Sequence, residues 1–337
     1  MEIGFDNNKY LLLERKQILN RVKKFDKKLY IEVGGKIFDD LHASRILPGF
    51  EPDDKVKVLE SLKDKLEVIL CISAKHLQLG KRRGDYGITY GEETIRIMKE
   101  LRNRDIVVSN IVITLYEGEP EADKFKSKLV SMGETVYVHS VIKGYPDDLD
   151  YVVSKDGYGK NEYIKTTKPI VVVAAPGPCS GKLATCLTQL YHEYQMGNNA
   201  GYAKYESFPV WNLPLNHPVN IAYESATADL FDVNVIDPFH KKAYGIDVVN
   251  YNRDVEAFPV LNEILRRIMG KSCYNSPTDM GINMIGMAIS DDKVVWNAGV
   301  DEINRRYEKG LSEFKNYKDY DKIMARLKEL KDSVHKK

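Results

Sequence analysis

Cysteine is scarce in this chain of 337 residues, and neither sign of charge is in excess. Cys71, Cys179, Cys186 and Cys273 lie far apart, with no Cys-x-x-Cys and no Cys/His pairs at zinc spacing. That points away from a disulfide scaffold and from a structural zinc module, and fits reduced thiols. Fifty Lys and Arg balance 49 Asp and Glu for a formal net charge of +1, so the basic excess of a nucleic-acid wrapper is missing. Long apolar runs are missing too: the longest, residues 170–176, falls well short of the roughly 20 residues of a membrane-crossing helix. Residues 1–10 carry Glu2 and Asp6 instead of the basic-then-apolar order of an export signal. A cytoplasmic location is expected, with no nucleic-acid and no membrane partner; a homo-oligomer is left open.

What is present is the composition of a globular protein, 43% hydrophobic and 29% charged, with a length near the upper limit for one core. Residues 8–25 place Leu12, Leu19, Val22 and Phe25 at helical spacing. Apolar, β-rich runs at 28–33, 66–72, 106–114 and 134–138 read as buried strands, with helical patterns at 53–66, 92–102 and 119–132 between them. Residues 145–167, rich in Asp, Lys, Gly and Tyr, read as a connection. A second series follows: strand 170–174, helix 181–194, strands 219–223 and 232–236, and helix 254–269 closed by Gly270. Charged helical patterns from 301 to 331 finish the chain. The alternation predicts an α/β fold, doubly wound, with a mostly parallel sheet in two Rossmann-like or P-loop-like halves and a helical C-terminal tail. Its expected divisions are residues 1–165, 166–300 and 301–337.

The strongest chemical signal is the run VVVAAPGPCSGK, residues 171–182, where a strand ends in a Pro/Gly turn and a helix begins. Unpaired amides of a first helical turn converge on one spot, and the helix dipole adds positive charge there. Phosphate suits that spot. Gly177, Cys179, Ser180 and Gly181 would form the cradle, with Lys182 adding a full charge and Ser180 a hydroxyl donor. The pattern is a reduced Walker A loop. Pro176 stands where glycine is needed and Leu183 where the magnesium-binding Ser or Thr would be; Pro178 lacks an N–H. Thr185 cannot take the metal position without rearrangement. Phosphate binding is therefore better supported than metal-assisted hydrolysis.

Other residues are expected around the same crevice. Asp237, ending the run VNVID, could hold hydrated magnesium or act as a base, although Asp before Pro238 is equally good turn chemistry. Gly34, Gly35 and Lys36 follow the first strand, and Arg45, three residues past His42, could grip an oxyanion. Of Lys81, Arg82 and Arg83, Arg83 is expected to turn inward. Thr278 and Asp279, in SPTDMGINMIGMAI, are expected to face Lys182 from a helix N-terminus, with Met280, Met284 and Met287 buried on that helix. No nucleophile elbow and no well-placed Gly-x-Gly-x-x-Gly is present.

The stretches IEVGGKIFDDLHASRILPGF, RGDYGITY, GPCSGKLATCLTQLYHE, VNIAYESATADLFDVNVIDPFH, VNYNRDVEAFPVLN and SPTDMGINM, which span most of the chain from Ile31 to Met284, resemble the bacterial domain-of-unknown-function family eighteen forty-six. The resemblance implies an α/β fold with a Rossmann-like part, and brings no activity, cofactor or catalytic residue. It also implies a further C-terminal region, so that this chain would be a truncation or a short variant.

The expected function is the binding of a nucleotide or phosphorylated small molecule between the two halves. Lys182 and Asp237 would be the reacting groups if the protein is a phosphotransferase, with magnesium arriving with a nucleotide. The rival expectation is a non-catalytic ligand-sensing or assembly protein that uses the same crevice.

Overall fold

The computed structural model describes residues 2–25, 28–84, 86–271 and 273–335; Asp85 of the RGDYG stretch and residues 336–337 of the predicted tail lie outside them. The first part contains α1 (Asn7–Val22), β1 (Lys28–Val33), α2 (Leu41–Ile46), α3 (Asp54–Glu60), β2 (Leu66–Ser73), α4 (Ala74–Gln78), α5 (Tyr90–Asn103), β3 (Val107–Tyr116), α6 (Pro120–Ser131), β4 (Val136–Ser140) and α7 (Leu149–Val152). Then come β5 (Ile170–Ala174), α8 (Lys182–Gln195), β6 (Ala200–Tyr205), α9 (Pro218–Ala226), β7 (Asn234–Ile236), α10 (Pro238–Tyr244), β8 (Val249–Tyr251) and α11 (Asn252–Met269). The chain continues through α12 (Pro277–Met280), β9 (Gly281–Ile282), α13 (Ile285–Ala288), α14 (Asp292–Glu313) and α15 (Tyr320–His335).

Seven strands form one sheet in the order β4-β3-β2-β5-β1-β6-β9, and every pairing in it is parallel. The fold is α/β with a helical C-terminal region, as the alternation of patterns predicts. Both β2 and β5 are buried along their whole length, which explains why they read as continuous apolar runs rather than alternating ones. The sheet draws strands from both sides of residue 165. From β2 the chain moves outward through β3 to β4, then returns to place β5 on the other side of β2. The carboxyl ends of β2 and β5 are thus a topological switch point, where open α/β sheets bind ligands.

The face of β1 and β6 turned to α8 is polar. Tyr30 and Glu32 of β1 stand in register with Tyr202 and Lys204 of β6, and Tyr30 donates its hydroxyl to Glu193 of α8 at 2.8 Å. The opposite face meets α1, where the Tyr10 and Tyr205 hydroxyls are 3.1 Å apart.

Three expectations are corrected. Residues 219–223 belong to helix α9, because His217 caps Val219 N and Pro218 occupies the first turn, a start signal that outweighs the β bias of Val and Ile. Residues 232–236 contribute only β7, which pairs antiparallel with β8 outside the main sheet. The methionine helix does not exist: β9 pairs with β6 and interrupts it, and Met287 is exposed.

Candidate functional site

The turn 176–181 leaves β5 at the carboxyl edge of the sheet and enters α8. Two glycines shape it by close approach. A Cβ at Gly177 would lie 2.3 Å from the Tyr90 hydroxyl, and one at Gly181 would lie 2.6 Å from Thr114 Oγ1. Gly181 also has a φ of +78°, a left-handed conformation that glycine adopts without strain. Thr114, at the end of β3, donates to the Ser180 carbonyl at 2.8 Å and so ties the turn to the neighbouring strand. Ser180 is buried, and its hydroxyl donates to the Gly177 carbonyl at 3.0 Å. The serine proton expected at a ligand is therefore spent inside the turn.

What the turn leaves open is its amides. Among the described residues, the N–H groups of Cys179 through Ala184 have no hydrogen-bond partner. The α-helix they open runs for 14 residues, enough for a full terminal partial charge. Lys182 is half-buried and pairs with no carboxylate among the described residues. Its charge reaches the buried Cys71 and Cys186 thiols, as does that of Glu32, while burial pushes the Cys71 thiol up to about 12. Lys182 and Glu32 thus act on the same region, over β5 and β1.

Beside Glu32 lies a group of charges not foreseen in the sequence. Lys204 Nζ is 2.6 Å from Glu206 Oε1 and 2.5 Å from Asp254 Oδ2 at the start of α11, and Tyr202 donates to Glu32 at 2.8 Å. Burial opposes the charge on Lys204, but Asp254, Glu206 and Glu32 together hold it protonated well above the ordinary lysine value. Burial pushes Glu206 up to about 7, against the pull of Lys204. A carboxyl that titrates near neutrality can give or take a proton at physiological pH. A Cβ at Gly34 would sit 2.9 Å from Glu206 Cγ, so the glycine lets this carboxylate settle over the end of β1.

The predicted residues divide between this edge and other places. Gly34, Gly35 and Lys36 follow β1, the strand next to β5, and so stand beside the Lys182 turn. Arg45 is instead held in a bidentate pair by Glu302 of α14, at 2.9 and 3.1 Å, with His42 on the same carboxylate at 2.9 Å. Arg83 is buried, as expected of the inward-turned basic residue, but it ion-pairs with buried Glu93. Asp237 is fully buried and caps α10: it accepts from Phe239 N at 2.9 Å, His240 N at 3.0 Å and Thr278 Oγ1 at 2.7 Å. Its carboxylate is committed to the turn chemistry that Asp before Pro238 allows. Thr278 and Asp279 line a separate cavity beside α1 and β9. Among the described residues no three His, Cys, Asp or Glu side chains come together as a metal site, and no helix is long and apolar enough to cross a membrane.

Comparison with known proteins assigns the chain to a family. The chain is 54% identical over 314 residues to a "UPF0371 protein" of Streptococcus sanguinis, covering 93% of this chain and 64% of that protein. It is 56% identical over 335 residues to the UPF0371 protein FN1121 of Fusobacterium nucleatum, covering 97% and 66%, and 52% identical over 332 residues to a UPF0371 protein of Streptococcus equi subsp. equi, covering 98% and 67%. The chain thus spans about two thirds of the length of these relatives, and less than that of the S. sanguinis protein. The family described as "Domain of unknown function DUF1846, N-terminal" matches residues 3–335, and the chain belongs to it.

Proposed function

We propose that the carboxyl edge of the sheet, over β5, β1 and β6, binds a phosphorylated small molecule or nucleotide. The observation that carries this reading is the combination, among the described residues, of open amides at residues 179–184 with a Lys182 ammonium that pairs with no carboxylate. Backbone donors fixed by Thr114 and Tyr90 need no reorganisation to receive an anion, and the helix dipole adds to their attraction. Gly34 and Gly35 let a ligand approach β1 closely, and Glu206 supplies a proton acceptor or donor within the same edge.

If the protein is an enzyme, phosphoryl transfer is the class that this equipment fits: Lys182 and the amides neutralise phosphate oxygens, and Glu206, rather than Asp237, takes the proton of an attacking hydroxyl. A second reading, ligand sensing without turnover, is favoured by two observations. Leu183 follows the lysine where a metal-binding hydroxyl would stand, and Asp237 is engaged in capping α10.

Thermal denaturation with ATP and with hexose phosphates tests the binding. A ligand present at about 100 times its dissociation constant adds about 2.7 kcal/mol to the folded state, and Lys182→Ala is expected to remove most of that gain. An unchanged shift in the variant would place the ligand elsewhere. Product formation during the same incubation separates the enzyme from the sensor.

A further inference from the structure

A cavity of about 450 Å³ opens beside α1 and β9, within the range of small-molecule sites. Its walls come from α1, the segment after β6, α10, and the α12–β9 region. The apolar part includes Phe25, Val248, Tyr274, Met284 and Met287.

Its charged groups are Arg21, Lys24 and Asp279, with His240 Nδ1 3.8 Å from the Asp279 carboxylate. Arg21 of α1 reaches across to the carbonyls of Asp279 at 2.7 Å and Gly281 at 3.1 Å, yet among the described residues no carboxylate lies within ion-pair distance of Arg21 or Lys24. The acid in the cavity wall is turned to other partners: Asp279 Oδ2 accepts from the Tyr244 hydroxyl and from Asn275 N, each at 2.8 Å. Trp211 also lines the cavity, through its ring, since its indole N–H is sealed inside the protein. Thr278 is saturated by Asp237 and Asn250. Arg21 and Lys24 thus set two positive charges in the wall against the one carboxylate of Asp279, and an anionic ligand would complete the balance.

We propose that this cavity is a binding site for a small organic acid: its carboxylate is neutralised by Arg21 and Lys24, and its apolar body lies against Phe25, Trp211, Met284 and Met287. The site is independent of the Lys182 edge, and the two can be probed in one experiment, because each carries an exposed cysteine, Cys273 in this cavity wall and Cys179 in the Lys182 turn.

The test follows alkylation of Cys273 and Cys179 by iodoacetamide while 2-naphthoate or its neutral counterpart 2-naphthalenemethanol is titrated in. The expected result is saturable slowing of Cys273 by naphthoate and not by the alcohol, with Cys179 unaffected. Arg21→Met is expected to weaken the protection about tenfold or more. Lys24→Met, at an exposed position, weakens it in the same direction and serves if loss of the Arg21 contacts prevents folding. Unchanged Cys273 reactivity, equal protection by the alcohol, or full protection in both the Arg21→Met and Lys24→Met variants would overturn the proposal.

Discussion

Lys182, Lys204 and Lys55 share one edge of the sheet and differ in what holds them. Lys204 is held by Glu206 and Asp254, and Lys55 by Asp40 at 3.1 Å and the Gly34 carbonyl at 3.2 Å; Lys182 has no carboxylate partner among the described residues. That difference singles out Lys182, because a lysine already neutralised gains little from an incoming anion. Glu14 shows the reverse situation, a buried acid with too few donors. Its Oε1 accepts from Met284 N at 2.7 Å, its Oε2 has no partner, and burial pushes its carboxyl from 4.5 up to about 8. The folded protein therefore holds this proton where the unfolded chain has released it. This group's stabilising contribution is complete below about pH 4.5 and is lost as pH rises through about 8, with a slope of about 1.4 kcal/mol per pH unit between the two. Denaturant melts across this window should show Glu14→Gln flattening the decline; an identical slope in the variant would remove Glu14 as its cause.

The start of α8 was legible at the level of the element because its signals are local: an apolar run, a Pro/Gly turn, then apolar residues at helix spacing. Strand β6 was not legible, because Ala200, Gly201, Ala203 and Lys204 have little β bias, and its place is set by pairing with β1 and β9. Missing that strand hid Lys204 and Glu206, although Tyr202, Lys204 and Glu206 alternate with a period of two and could have exposed it. Asp237 was ambiguous for a different reason: one carboxylate at a strand exit can cap a helix or bind a ligand, and only its hydrogen-bond donors in the folded chain decide between them. Asp237→Ala should lower stability by about 2–4 kcal/mol, through the lost cap and the stranded Thr278 hydroxyl. Binding of phosphorylated ligands at Lys182 should survive in the variant that remains folded. Loss of binding without loss of stability would return Asp237 to the site.

Across the whole molecule, the C-terminal helices close back onto the first part of the chain. Glu302 of α14, its side chain only 1% exposed, accepts from His42 at 2.9 Å, from Arg45 and from Arg305. This junction joins α14 to α2, which follows the glycine pair of β1, and so couples the tail to the wall of the proposed site. Such a long-range contact leaves no local sequence signal, which is why Arg45 read as a ligand-binding residue. Glu302→Ala leaves His42 and two part-exposed arginines without their shared acceptor and should cost about 1–3 kcal/mol in urea unfolding; a loss within the range of an exposed ion pair would show that the junction is not structural.

Cys179 gives the most direct access to the central claim, since its thiol is exposed on the turn whose amides are open. Its alkylation rate by iodoacetamide should fall saturably as ATP or a hexose phosphate is added to the wild-type protein, and the protection should disappear in Lys182→Ala. A rate unchanged by every phosphorylated ligand at saturating concentration, or protection that persists without the lysine, would contradict anion binding at this turn.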